Sequence, residues 1–412
     1  MDKMFDLALG IVSAMGGFVD IGELIFLTQA GAKFYLSLLL VAIVGTVGII
    51  VYGEMAGRLA AVSGYTAFKA VRLKLGKGVG GVALVSFVLV TLVTCTAELG
   101  GMALIMQLVT NWPFWLCAII AAILVCAIVA IFPFSLIENV LGFFGLAMLV
   151  FLVAIFFDNR DSLMGLLEKS GSSLPMDGPR LLLYAYFAVG ILTSSMMPYE
   201  LAFYASGAIE DEWTSKELMI NRLIVGIGFS FGFFVAAALL VNAASKLIPR
   251  GIDPQLIGAS ALESILPFGW WGGALALFGM FFAVTGAAVE TSMSVGYAVC
   301  QFFDRPWGKS KPPAEAPLFN GLWLGTVVVG LIAVLIYQQP LQIAELAVVF
   351  SVLALPLAYL AVFLAASDHR IMGMHMNGKA ARIFGVIFIA ILTITATAAI
   401  PLLIATGAGQ IW

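Results

Sequence analysis

Apolar runs long enough to cross a bilayer recur along this chain and leave room for little else. A helix needs about 20 apolar residues to span the hydrocarbon. Inside lipid its backbone N–H and C=O groups must all be paired, which restricts spanning structures to helices and closed barrels. Candidate spans are residues 8–29, 35–60, 82–110, 113–132, 136–157, 180–205, 218–244, 271–303, 317–337, 340–366 and 380–408, eleven in all. Of the 412 residues, 62% are hydrophobic and 10% charged, whereas soluble domains are roughly a quarter charged. The expectation is an all-α membrane protein with one transmembrane domain, 1–412, and the lipid bilayer as its main partner. The net charge of −3 gives no case for nucleic acid. The first run continues into a full span, so it reads as a helix rather than a cleavable signal.

Orientation follows from Lys and Arg, which favour the cytoplasmic side. With the N-terminus inside, that side collects Lys3, Arg58, Lys69, Arg72, Lys74, Lys77, Lys216, Arg222, Arg305, Lys309, Lys311, Arg370, Lys379 and Arg382. Lys33, Arg160, Lys169, Arg180, Lys246 and Arg250 remain outside, a split of 14 against 6. The reading is a multi-pass protein of the cell membrane, N-terminus cytoplasmic and C-terminus external. Trp112, Trp115, Trp270, Trp271, Trp307 and Trp412 fall near span ends, as an interfacial aromatic belt does. Cys95, Cys117, Cys126 and Cys300 are isolated in apolar runs and read as packing.

Two spans carry acids where lipid-facing helices carry none. "VDIGELIF", Val19 to Phe26, sits in span 1, and "MMPYELAF", Met196 to Phe203, in span 6. Aligned, Asp20 meets Met197, Glu23 meets Glu200, Leu24 meets Leu201 and Phe26 meets Phe203. The two segments open halves of five spans each. Five is odd, so the halves enter the membrane from opposite sides, as an inverted repeat does. Repeat one covers about 8–157, repeat two about 180–366, and an extra helix about 380–408. Gly22 and Pro198 are expected to break their helices. Such breaks at matching places in inverted halves point to a transporter binding site. An acid at a helix centre costs roughly 2.5–3.5 kcal/mol on insertion scales, so Asp20 and Glu23 call for water, a partner or a bound cation. A hard divalent cation suits oxygen ligands. Helix capping is the competing explanation.

These residues resemble the NRAMP family of divalent metal transporters, which implies a LeuT-type inverted 5+5 repeat with broken helices 1 and 6. The family's Asp-Pro-Gly-Asn motif reads Asp20-Ile21-Gly22-Glu23 here, and its Met-Pro-His-Asn motif reads Met197-Pro198-Tyr199-Glu200. "AELGG" in span 3 and "LALPLAYLAVFLAASDHRIMG" in span 10 extend the similarity. The resemblance implies a metal site made by Asp20, Glu23, the Ser194 carbonyl and Met197, with Met196 one residue away. Gly22, Glu98, Ser195, Tyr199 and Glu200 are the surrounding or pathway candidates.

The departures matter as much. Both motif asparagines are glutamates, Glu23 and Glu200, and the two helix-6 histidines are Tyr199 and Tyr204. The third-helix aspartate is Cys95, with Glu98 kept three residues on. The chain's two histidines, His369 and His375, lie in a connection, and none lies in a span. Histidine titrates near neutral pH and tyrosine near 10, so proton coupling is expected to be weak or absent. Added carboxylates move the site toward hard ions, Mg²⁺ with Mn²⁺ also accepted, while the thioether of Met197 suits Mn²⁺ or Fe²⁺. This sequence resembles the NRAMP-related magnesium transporter branch. A proton-coupled Mn²⁺/Fe²⁺ transporter and an organic-solute transporter of the same fold are the alternatives. No His-Glu-x-x-His or Gly-x-Ser-x-Gly motif is present, so neither an enzyme nor a cofactor is expected. Glu54 precedes Arg58 by four residues, helical pair spacing. Glu98 faces either the pathway or a partner helix, and Glu138, Glu290 and Glu345 line the pathway or satisfy helix contacts.

Overall fold

The computed structural model describes residues 20–157, 163–172, 178–252, 254 and 257–409. The described residues form helices and no strands. In chain order these are α1 (Ile21–Phe34), α2 (Leu39–Ser63), α3 (Ala67–Thr110), α4 (Phe114–Ile131), α5 (Phe134–Ala154) and the short α6 (Leu163–Ser172). There follow α7 (Gly178–Ser194), α8 (Pro198–Glu210), α9 (Leu218–Arg250), α10 (Ile257–Phe302), α11 (Pro317–Tyr337) and α12 (Pro340–Ala366). The one-turn α13 (His369–Met372) and the long α14 (Lys379–Thr406) complete the order.

Among the described residues, nine helices are long and apolar enough to cross a membrane, and ten if the bent α12 counts as one span. They correspond to ten of the eleven expected spans. The first expected span begins at residue 8, so its first half, and Lys3 before it, lie outside the described residues, as do Arg160 and Trp412. The bend in α12, 44° between Val352 and Ala354, has a local cause. Pro356 offers no N–H to the carbonyl of Val352 and its ring crowds that carbonyl.

Two glycines expose the inverted repeat directly. α3 is kinked at Gly76, with φ 72° and ψ −170°. α10 is kinked at Gly269, with φ 63° and ψ −155°. Both occupy a region essentially reserved for glycine. Each ends a short arm, Ala67–Leu75 or Ile257–Phe268, that follows the second helix of its half. The same device at the same place in both halves is what a duplicated and inverted unit produces.

α1 lies at the centre, and all its residues except Ala32 are buried. A helix buried on all sides belongs to the core of the bundle. It packs against α7, α9, α10 and α12, and α3 packs against α10 and α12. The lipid-facing surface is apolar: Leu89, Ile123, Ile332 and Ile394 are all strongly exposed. One end of the bundle is basic. There Lys69 of the first arm pairs with Asp304, Lys74 with Asp368, and Arg72 covers the Phe302 ring at 5.4 Å. Arg58 meets Glu54 at 2.9 Å, as their spacing implies, and also holds Asn377 and the His375 carbonyl. Trp112, Trp115, Trp270 and Trp271 are exposed at the opposite end, the last two stacked 3.9 Å apart.

Candidate metal-ion site at the helix breaks

The two motif segments meet in the middle of the bundle. Asp20 is extended (φ −91°, ψ 174°) and caps α1, its Oδ1 accepting the Glu23 N–H at 2.7 Å. Met197 is likewise extended (φ −60°, ψ 135°) and precedes α8, whose first residue is Pro198. Glu23 and Glu200 are therefore both the third residue of their helices. The alignment of Asp20 with Met197 and Glu23 with Glu200 holds in backbone conformation.

The break between α7 and α8 follows from covalent chemistry. In a continuous helix the Ser194 carbonyl would accept the N–H of residue 198, and Pro198 has none. The Met196 carbonyl finds a substitute in the Tyr359 hydroxyl, 3.1 Å away. Ser194 and Ser195 turn their hydroxyls back on the Ile191 carbonyl, at 3.0 and 2.9 Å. A freed carbonyl at a helix C-terminus is the group that unwound transporter helices turn toward cations.

The half-sites touch directly. The Tyr199 hydroxyl donates to Asp20 Oδ2 at 3.3 Å, and the Ser195 hydroxyl lies 3.4 Å from Glu23 Oε1. Glu23 Oε2 and both carboxylate oxygens of Glu200 are buried without a hydrogen-bond partner. Asp20, Glu23, Glu98, Ser194, Ser195, Met197, Tyr199 and Glu200 are all buried. No ion pair reaches Asp20, Glu23 or Glu200 among the described residues. Nor do three His, Cys, Asp or Glu side chains there converge closely enough to enclose a metal by themselves. Any ion at this point takes carboxylates together with neutral donors or water.

A family model described as natural resistance-associated macrophage protein-like, Nramp, matches residues 11–401. The chain belongs to the Nramp family. Nramp proteins are metal transporters rather than enzymes. The "Divalent metal cation transporter MntH" of Lacticaseibacillus casei is 25% identical over 389 residues, 89% of this chain and 82% of that protein. The protein of the same name from Staphylococcus saprophyticus is 25% identical over 404 residues, covering 91% and 87%. The Eremococcus coleocola manganese transporter, solved with an aromatic bis-isothiourea compound, superposes with a TM-score of 0.76 at 18% identity. That superposition covers 98% of this chain and 88% of the other. The Nramp fold, with its LeuT-type inverted repeat, is therefore the fold of this chain.

Within that fold one expectation changes and one open choice narrows. Gly22 does not unwind α1; it is helical, and α1 starts directly after the extended Asp20. Its missing side chain instead admits α12, since a Cβ there would lie 2.4 Å from Val348 Cγ2. Glu98, open between the pathway and a partner helix, meets a partner helix: its carboxylate accepts the Ile21 N–H at 3.3 and 3.4 Å, capping α1 from α3. Capping also describes one oxygen of Asp20, so capping and exposure to the break coexist in one side chain. Met196 is separable from Met197, because its sulfur packs against Gly48 of α2, 2.4 Å from where a Cβ would lie.

Two more residues stand close to this site, one unannounced by the sequence and one already marked by it. Tyr359 holds the Met196 carbonyl, and nothing in the local pattern around Pro356 marks it. Glu290 interacts electrostatically with Asp20, Glu98 and Glu200. Its signal was an acid inside a span. The Glu138 side chain lies outside the described set.

Proposed function

We propose that this Nramp-family chain moves divalent cations by alternating access, Mg²⁺ with Mn²⁺ also accepted. Transport is driven by membrane potential with weak or no proton coupling. The observation that carries the reading is the meeting of Asp20 and Glu23 with the broken end of α7, beside the unpartnered Glu200. The ion rests between the Asp20 and Glu23 carboxylates, the Ser194 carbonyl and Met197. Ser195, Tyr199, Glu200 and Gly22 shape the space around it, and Glu98 fixes the start of α1.

Oxygen donors outnumber the one thioether, which favours hard ions. Mg²⁺ gives up water reluctantly and is commonly held by one or two carboxylates with several waters retained. Two carboxylates and two hydroxyls match that habit, and a hydrated ion need not touch Met197. One charge moving through 100 mV is worth about 2.3 kcal/mol, so a divalent ion gains about 4.6 kcal/mol, roughly three decades of concentration. That suffices for uptake with the N-terminus cytoplasmic, the orientation that puts the basic end inside.

A proton-coupled Mn²⁺/Fe²⁺ transporter is the second reading, favoured by the buried Met197 and by relatives named as divalent metal and manganese transporters. An organic solute has no support from membership in a metal-transporting family.

The deciding experiment measures Mg²⁺ and Mn²⁺ uptake into liposomes containing purified protein and a pH dye. Uptake of both ions without matching acidification is expected. Mn²⁺ uptake with parallel acidification and no Mg²⁺ uptake restores the second reading. Asp20→Ala and Glu23→Ala should each lower uptake at least a hundredfold while the protein still folds. Normal transport by both variants would remove the site assignment.

A further inference from the structure

A cavity of about 250 Å³ with a mixed polar and apolar lining opens at the end of the bundle away from the basic loops. Gln29 of α1, Gln338 and Gln339 of the α11–α12 connection, and Gln342 and Glu345 of α12 line it. Glutamines and an acid so close to a transmembrane core are costly unless they face water or a ligand. The Gln29 amide donates to Glu345 Oε1 at 3.1 Å, tying α1 to α12.

The position of that hydrogen bond is informative. Gln29 follows Gly22 by seven residues, two helical turns, so both share one face of α1 roughly 10 Å apart. Glu345 precedes Val348 by three residues and shares its face of α12. Val348 is the side chain packed on Gly22, next to Asp20. The Gln29–Glu345 pair therefore stands between the cavity and the Asp20–Glu23 pair, along the seam where α1 meets α12.

We propose that this cavity is a recruitment site for a hydrated divalent cation, and that Glu345 is its anchoring carboxylate. The proposal rests on the transport reading above and names the step before it. Six waters at about 30 Å³ each need about 180 Å³, so an octahedral hydrated ion fits. Its waters donate to the glutamine carbonyl oxygens and to Glu345. The ion binds through its water shell, with no bond to protein made or broken. Occupation of Glu345 competes with Gln29 for the carboxylate and so loosens the tie between α1 and α12. Lys33, over the Phe187 ring at 5.9 Å, also interacts with Glu345. A nearby positive charge keeps the site weak, and a site on a pathway must release what it captures.

The test uses the full chain in liposomes with Mn²⁺ as the probe. Glu345→Gln should raise KM for Mn²⁺ about five- to tenfold and leave the maximal rate within twofold. Gln342→Glu adds a carboxylate at the cavity wall while keeping an acceptor for the Tyr337 hydroxyl, 2.8 Å away in the wild type. It should lower KM at least twofold, and more at low than at high ionic strength. Gln342→Glu leaves both partners of the Gln29–Glu345 hydrogen bond in place, so it tests the idea even if Glu345→Gln folds poorly. An unchanged KM in Gln342→Glu, or an unchanged KM in a folded Glu345→Gln, overturns the recruitment site. If Asp20→Ala is inactive in the same preparation, the transport reading survives that outcome. A wild-type chain that moves neither Mn²⁺ nor Mg²⁺ overturns both.

Discussion

The two kinked arms occupy equivalent places in the two halves and share a backbone, yet their chemistry has parted. The first, Ala67–Leu75, is tied at the basic end by partly exposed ion pairs, Lys69 with Asp304 and Lys74 with Asp368. The second, Ile257–Phe268, turns its polar groups inward. Ser260 pairs with Thr28 of α1 at 2.9 Å, and Glu263 is fully buried beside the same Thr28. Lys246 of α9, also fully buried, interacts electrostatically with Glu263. Its ammonium is held by Asn242 Oδ1 at 2.6 Å and the Ala154 carbonyl at 2.8 Å. A duplicated fold thus keeps its backbone turn while the chemistry of each arm adapts to what it packs against. The first arm fastens loops to one another, and the second couples α1 to the neighbouring helices.

The contrast can be broken most forcefully at Lys246. Lys246→Met removes a buried charge and its hydrogen bonds and leaves Glu263 without its neighbouring cation. A hydrogen bond to a charged group is worth about 1.5–3 kcal/mol, and the Asn242 and Ala154 oxygens each lose one, so a large drop in thermal midpoint is expected. A drop no larger than that of the exposed pairs would mean that the second arm is not anchored inward. Next come the shared kinks. Gly76→Ala and Gly269→Ala meet no atoms within 4 Å at the new methyl, so backbone strain alone acts. Each should cost about 1–3 kcal/mol, by similar amounts. Melting curves that differ widely between the two would refute a common device.

The smallest effects belong to the first arm. Lys69→Met should cost no more than about 1 kcal/mol, the usual worth of an exposed pair. At Asp368 the Lys74 hydrogen bond, reinforced by the Arg370 N–H, holds the carboxyl below the usual carboxylate range. Its pKa is then lower folded than unfolded. The associated stability is complete above the ordinary aspartate value near 4 and is lost as the pH falls through the folded value. Lys74→Met should shrink that acid-side dependence in a pH series of melts. An unchanged series would show that Lys74 contributes nothing there.

Legibility differed from residue to residue. Glu54 and Arg58 are one helical turn apart, and their contact was readable because helix geometry is local. The equivalence of Glu23 and Glu200 was readable from aligned motifs, and the break at Pro198 from the missing N–H. Gly22 misled, since a glycine in a span serves either unwinding or close approach, and only the neighbour at Val348 decides. Glu98 could not be assigned because its partner, the Ile21 N–H, lies 77 residues away. The ties of Lys246 to Ala154 and of Tyr359 to Met196 carry no local mark at all.

The chain's sequence alone determined the membrane class, ten of the spans now seen, and a helix interrupted at Pro198. Span length answers to bilayer thickness and proline's missing donor to covalent structure, and neither needs a distant partner. Tertiary structure decided which acid faces which group: Glu23 toward Ser195, 172 residues on, Glu98 beneath α1, and Glu345 against Gln29. Those choices come from packing separate helices, where a side chain's role is set by the surface it meets.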